Sequence, residues 1–445
     1  MLVYVCRAKV IEVVLNKQLK PFDVLGLGFM TFAFFLGAGN IIFPTMAGML
    51  AGVEVVPTML GFLLTAVGLP LLGLFAVAKA GGGISQMTKL LHPAIGVVIS
   101  VAIFIIIGPL IAAPRTSLVA FELGVKSFGE EPVVSQWVYS LAFFTLATVL
   151  ALFPGKLMDS IGKILTPLLI VLLLALSISV MTASGGQVLP TDPSYTHAPF
   201  AKGILDGYST MDALASIMFG MLIVDLLKRK GITHPKTQYR YLIIAALIAA
   251  GGLAFVYISL FFLGSSFGFS GASSGGEILT AYVENQFGVL GLMVLAGVIT
   301  LACLTTAIGL LSACSDYFSQ LTPLSYNTFV IINAVFCVMM ANLELGVLIE
   351  MSIPVLVAVY PIAVALMLFS VFSSQIALKR QSLALTLAVS LFFGLMEGLK
   401  AAGISVPDLS FMPLFDLGLA WVAPTLGLVL IYMLVGKVKP ALVTS

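Results

Sequence analysis

Charge is the scarcest property of this chain. Only 9% of its 445 residues are Asp, Glu, Lys or Arg, against about 25% in an ordinary soluble domain, too few to coat a water-facing surface. With 60% hydrophobic residues and a mean hydropathy of +1.16, that scarcity excludes a soluble globular enzyme, a disordered protein and a nucleic-acid binder. Histidine is almost missing as well. His92, His197 and His234 are the only three, and each falls in a loop or at the end of an apolar run. No HExxH or P-loop accompanies them, so an ATP-driven pump is excluded and a membrane-embedded enzyme is only a remote alternative. The filter repeats or charged rings of a channel are not visible either. Four cysteines (Cys6, Cys303, Cys314, Cys337) form no CxxC; the last three sit in apolar runs and read as packed thiols, not as a disulfide framework. What remains is an all-α polytopic membrane protein.

A helix that crosses a bilayer needs roughly 20 mostly apolar residues, and the chain divides into about twelve such runs. They lie near 22–51, 55–78, 94–121, 135–153, 160–182, 200–227, 239–264, 287–315, 323–342, 346–370, 382–399 and 412–435. Barrel strands are excluded, because the runs exceed about 11 residues and do not alternate. Arg7, Lys9, Lys17 and Lys20 precede the first run with no small-residue cleavage site behind an h-region of suitable length, so that segment is expected to stay in the mature chain. With twelve spans both termini share a side. Of the 21 Lys and Arg, all but Arg115, Lys126, Lys202 and Lys400 fall on that side when sorted by alternate loops. The positive-inside rule then predicts cytoplasmic termini, and Lys228-Arg229-Lys230 reads as an orientation signal and helix stop.

Two spans are interrupted. The first contains Phe35-Leu36-Gly37-Ala38-Gly39-Asn40-Ile41-Ile42-Phe43-Pro44, and two glycines with an asparagine are poor helix residues in mid-span. A helix that breaks at membrane depth must find partners for its freed N–H and C=O groups, most simply in a bound ion and a polar substrate. Pro44 falls in the first turn after the break, where its missing N–H costs little. A small-residue packing face is the alternative, but GAGN lacks the GxxxG spacing and packing does not explain the asparagine. In the sixth span Gly207-Tyr208-Ser209-Thr210-Met211-Asp212 repeats the theme. Interrupted segments at corresponding places in two halves point to a transporter's central site. Span 1 opens a block of five spans and span 6 a second; because spans alternate in direction, the blocks are inverted repeats if they are repeats at all.

Further polar residues sit inside the runs. Thr305 and Thr306 on span 8 are either satisfied by the preceding turn or, beside freed carbonyls, ligands for a monovalent cation. Gly108-Pro109 and Pro114-Arg115 imply a kink in span 3, with Arg115 snorkelling to the outer interface or held in a structural or gating pair rather than in ligand contact. Asp212 admits two readings: a proton- or cation-linked acid near the substrate, or a hydrated acid at the mouth of an outer cavity partnered by Arg115 or Lys202.

Four stretches, PFDVLGLGFMTFAFFLGAGNIIFP, GPLIAAPRTS, GYSTMDALASIMFG and TLACLTTAIGLLSACSDYF, resemble the branched-chain amino acid:cation symporter family (LIVCS, BrnQ-type carriers), and the likeness runs along nearly the whole chain. That family is similar to the amino acid–polyamine–cation superfamily. The resemblance implies a LeuT-like 5+5 inverted repeat with helices 1 and 6 broken and two extra C-terminal helices. It divides the chain into a cytoplasmic N-terminus (1–21), a first repeat (22–182), an external loop (183–199), a second repeat (200–370) and helices 11 and 12 with a cytoplasmic C-terminus (371–445). It implies import of Leu, Ile and Val across the cytoplasmic (inner) membrane, coupled to Na⁺ as a driving ion and not a prosthetic group. A proton-coupled carrier of another small neutral amino acid is the alternative.

By the match of motifs, the Na⁺ site combines the Ala33, Leu36 and Ala302 carbonyls with the Thr305 and Thr306 hydroxyls. Neutral oxygens in that number suit a weakly held monovalent ion and not Ca²⁺. The implied substrate set is Phe35, Gly37, Ala38, Gly39 and Asn40 with Tyr208, Ser209, Thr210, Met211 and Asp212. In it the carboxylate meets N–H groups from Gly37 to Asn40, the ammonium meets carbonyls near Tyr208–Thr210, and Phe34, Phe35, Met211 and span 3 aliphatics form a dry pocket. The arginine that the related pattern places after the turn is missing, since Ile42 precedes Phe43, so a gate resting on it does not carry over.

Overall fold

The computed structural model describes residues 18–129, 134–153, 163, 166–182, 188–269, 271–376, 378–407, 409 and 411–443; the expectations for the N-terminal segment to residue 17, and most of residues 154–165 and 183–187, lie outside them. Every regular element among the described residues is helical. The first span is two helices, α1 (Pro21–Phe35) and α2 (Gly39–Ala51), followed after a turn at Gly52 by α3 (Val55–Leu63) and α4 (Leu69–Ala80). Next come the short α5 (Ile84–Met87), then α6 (Pro93–Ile105) and α7 (Ala112–Gly124) of span 3, α8 (Gln136–Ala151), α9 (Thr166–Thr182) and the one-turn α10 (Pro193–Thr196). The sixth span is again two helices, α11 (Pro199–Tyr208) and α12 (Asp212–Arg229), bent by 42° at their junction. The chain ends with α13 (Pro235–Phe267), α14 (Gly275–Leu321), α15 (Tyr326–Met340), α16 (Leu345–Phe372), α17 (Lys379–Ala401) and α18 (Val422–Val443).

Each break has a local cause. Leu36, at ψ 80°, stops α1, and α2 restarts over Gly39 with Pro44 inside its second turn. Met211, in the left-handed region at φ 64°, caps the N-terminus of α12. Gly108-Pro109 leaves the helical path (Gly108 ψ −113°) and joins α6 to α7 through a widened π turn, the kink expected of these residues.

Two expectations on boundaries need correction. Helix α14 begins at Gly275, twelve residues before the expected start of span 8, and changes direction at Gly288 (φ 63°, ψ −159°). Its first arm carries Glu277 and Glu284 and is capped by the Ser274 hydroxyl, so a search for long apolar runs passes over it. In span 12, residues 412–421 form turns, and the helix starts only at Val422; Pro413, Asp416 and Gly418 disfavour an earlier start.

The broken halves are clamped by close helix contacts. A Cβ on Gly264 of α13 would stand 2.0 Å from the Thr45 carbonyl of α2, and one on Gly48 of α2 2.3 Å from the Phe261 carbonyl. This mutual approach is the tight packing that small residues allow in membranes. Gly264→Leu should therefore lower the melting temperature of the purified protein in detergent, at a cost of about 1–3 kcal/mol or more from overpacking; an unchanged melting curve would contradict this packing.

Candidate functional site

The interrupted segments of spans 1 and 6 meet at the centre of the molecule. A small cavity of about 20 Å³ lies between them, walled by α7 and α14. All its lining residues are buried, so the site is enclosed by protein and not opened to either side. Of the expected substrate set, Phe35, Gly37, Ala38, Gly39, Asn40, Thr210, Met211 and Asp212 line it. Tyr208 and Ser209 instead line a second, larger cavity with Lys202, Asp206, Glu397 and Lys400, and Tyr208 stacks on Tyr360 with ring centroids 4.1 Å apart. The structure places these two side chains away from the central cavity: three and two residues before the left-handed Met211, they face the other cavity. The Ser209 carbonyl nevertheless faces Gly39, 3.2 Å from where a Cβ would stand.

A polar knot ties the two breaks together. Asn40 accepts the Gly37 N–H through Oδ1 at 3.2 Å, which satisfies one donor freed by the end of α1. Its Nδ2 donates to Asp212 Oδ2 at 2.5 Å and to the Tyr257 hydroxyl, and Tyr257 also donates to Asp212 Oδ2 at 2.8 Å. The Thr210 hydroxyl donates to the Gly207 carbonyl at 2.9 Å and receives the Asp212 N–H at 3.4 Å. Asp212 is 3% exposed. The reading that sets it, hydrated, at the mouth of an outer cavity is therefore corrected: its carboxylate points inward to Asn40 and Tyr257, and Lys202 pairs with Asp206 at 2.5 Å.

Arg115 is corrected too. It does not snorkel; it is 3% exposed and lines the central cavity, stacked over the Phe43 ring at 5.2 Å. No ion pair to it within 4 Å exists among the described residues, and its Nε and Nη1 have no hydrogen-bond partner.

Beside the break, the Thr305 hydroxyl donates to the Ala302 carbonyl at 2.8 Å and to the Ala33 carbonyl at 3.0 Å, and Thr306 to the same Ala33 carbonyl at 3.3 Å. Four of the five expected cation ligands thus form one cluster, and Leu36 closes α1 next to it. The adjacent hydroxyls point about 100° apart, yet both reach Ala33 because that carbonyl lies between them. Thr306 also borders the cavity, and a Cβ on Gly37 would stand 3.0 Å from its Oγ1.

The apolar wall is aromatic. Phe34 stacks on Phe219, and Phe35 meets the same ring edge-on, both with centroids 5.2 Å apart. From span 3 only Ile107 and Ala112 contribute aliphatic surface. Sequence reading missed Tyr257 and Phe219 and misjudged Arg115. Tyr257, a tyrosine in the middle of the apolar run of α13, was the available signal, because a buried tyrosine O–H needs a partner. The thiols behave as expected: Cys303, Cys314 and Cys337 are buried and free, and Cys6 lies outside the described residues.

Comparison with known proteins follows the same line. A family described as "Branched-chain amino acid transport protein" matches residues 20–439. The chain is 45% identical over 433 residues to the branched-chain amino acid transport system 2 carrier protein of Pseudomonas aeruginosa, covering 95% of this chain and 99% of that one. It is 39% identical over 436 residues to the branched-chain amino acid permease BrnQ of Escherichia coli K12, covering 97% and 99%. Among solved structures, MhsT in complex with L-phenylalanine superposes with a TM-score of 0.53 at 17% identity, over 93% of this chain and 98% of that one. A Na⁺-coupled sialic acid symporter in a substrate-bound outward-open state gives 0.59 at 13% identity, over 93% and 90%. At these identities the likeness shows the fold, and it is the LeuT-like arrangement that the broken spans pointed to.

Proposed function

The chain belongs to the branched-chain amino acid transport protein family, a family of carriers and not of enzymes, and we propose that it imports Leu, Ile and Val by Na⁺-coupled alternating access across the cytoplasmic membrane. One observation carries the Na⁺ reading: Thr305 and Thr306 converge on the Ala33 carbonyl at the lip of the broken first span. Uncharged oxygens hold a monovalent ion weakly enough to release it, and their contact with α1 links ion binding to the posture of the helix that borders the substrate. The repeats 22–182 and 200–370 would rock about this centre, with 371–445 outside them, and the lysine and arginine asymmetry favours cytoplasmic termini.

The substrate reading is supported by the chemistry of the cavity. Its charged and polar groups (Asn40, Arg115, Asp212, N–H groups at the start of α2) suit the two ends of a zwitterion, and Phe34, Phe35 and Phe219 suit an aliphatic side chain. An apolar wall separates one methylene from the next by only about 1–3 kcal/mol, so the three branched-chain amino acids should share the site. Labelled leucine uptake should be competed by isoleucine and valine at similar concentrations and not by lysine or glutamate. Equal competition by the charged amino acids would reject this substrate class.

Thr305→Ala and Thr306→Ala each remove one hydroxyl from the proposed ion site. Each should raise the Na⁺ concentration for half-maximal uptake by about tenfold or more, the loss of one hydrogen-bonding group to a charge. Unchanged Na⁺ dependence in both would mean that the hydroxyls only satisfy backbone carbonyls. Asp212 favours a second reading, proton coupling, because a buried acid held by Asn40 and Tyr257 can carry a proton between the two faces. Retention of full accumulation in both threonine variants, together with a dependence on a proton gradient, would select it.

A further inference from the structure

A guanidinium and a helix N-terminus converge in the central cavity. The first residue of α2 is Gly39, and a Cβ added there would stand 2.6 Å from Arg115 Nη2. The start of a helix carries partial positive charge and unpaired N–H groups, so setting a buried arginine against it brings two positive poles together. Stacking on Phe43 covers a face of the guanidinium and leaves the in-plane donors unused. Asp212, the acid in the same cavity, is turned to Asn40 and Tyr257. Two of the arginine's nitrogens therefore stay without partners in a site 3% exposed to solvent. A buried donor set of this kind is costly unless an anion fills it.

We infer that Arg115 takes the carboxylate of the transported amino acid, sharing it with the N–H groups at the start of α2. The inference rests on reading this cavity as an amino-acid site and adds its main specificity determinant. Discrimination between an acid and its amide then resides on span 3, and the ammonium falls toward the Asp212 carboxylate in the same cavity. Arg115 also supplies, from another span, the positive charge that Ile42 does not.

Purified full-length protein in detergent with Na⁺ provides the test. Ligand-induced melting shifts are measured with the twenty common amino acids, with leucine amide and with isopentylamine, on wild type, Arg115→Gln and Arg115→Lys. Wild type should bind the acid far more tightly than the amide and the amine. In Arg115→Gln the affinity for the acid should fall about 100-fold while the amide gains relative to it, and Arg115→Lys should recover part of the preference. Wild-type affinity in Arg115→Gln overturns the inference, as does an equal loss for acid and amide, the mark of a merely structural arginine. If Arg115→Gln does not fold, Arg115→Lys decides, and undiminished discrimination against the amide overturns the inference there too. A wild type that answers to some other α-amino acid, and to none of Leu, Ile or Val, rejects the branched-chain reading alone, since the Arg115 comparison can then be made on that acid.

Discussion

Asp212→Asn should reduce leucine uptake about 100-fold, equivalent to about 2.7 kcal/mol, while the protein keeps its membrane level and its melting curve. Asparagine preserves shape and can still accept from Tyr257, so the packing around Tyr257 and Asn40 survives. What disappears is the negative charge that shares the cavity with Arg115 and that the proposed function sets against the substrate ammonium. A charge at this depth is costly and persists where it has a task. Uptake in proteoliposomes, normalised to reconstituted protein, measures the effect; wild-type uptake with an unaltered pH profile would leave Asp212 a part of the scaffold.

A similar loss is expected from Asn40→Ala, by a different route. Asn40 ties the two interrupted spans directly to each other, through the Gly37 N–H and the Asp212 carboxylate. Without it the Gly37 N–H is left with the Phe35 carbonyl at 2.7 Å and the Asp212 carboxylate with Tyr257, a loss of about 1–3 kcal/mol in all. Uptake should fall about 100-fold and the melting temperature should drop. Asn40→Asp should be worse, since it sets a second carboxylate against the first. Transport by Asn40→Ala at the wild-type rate would show that the two breaks are not coupled through this residue.

The features whose place in the fold was legible in the sequence are those that violate a local rule. Gly37, Gly39 and Asn40 in mid-span, an acid at Asp212 and adjacent threonines at 305 and 306 are poor choices for a plain membrane helix, and all but the threonines' immediate surroundings could be located without coordinates. Direction was not legible. Whether Arg115 turns outward or inward depends on the π turn at Ile106–Leu110, which shifts the register of every residue after it, and a wider turn leaves no mark in hydropathy. Tyr257 was hidden for another reason: its partners come from spans 1 and 6, 217 and 45 residues away in sequence. The first arm of α14 escaped because its glutamates dilute the apolar signal on which span finding depends.

The most direct test of coupled transport is accumulation of radiolabelled leucine in proteoliposomes under three conditions: an inward Na⁺ gradient, an inward proton gradient without Na⁺, and no gradient. Na⁺-coupled alternating access predicts that leucine rises inside above its outside concentration only under the Na⁺ gradient, and that collapsing this gradient releases it. Leucine that merely equilibrates under all three conditions, or accumulates with the proton gradient alone, would contradict the account.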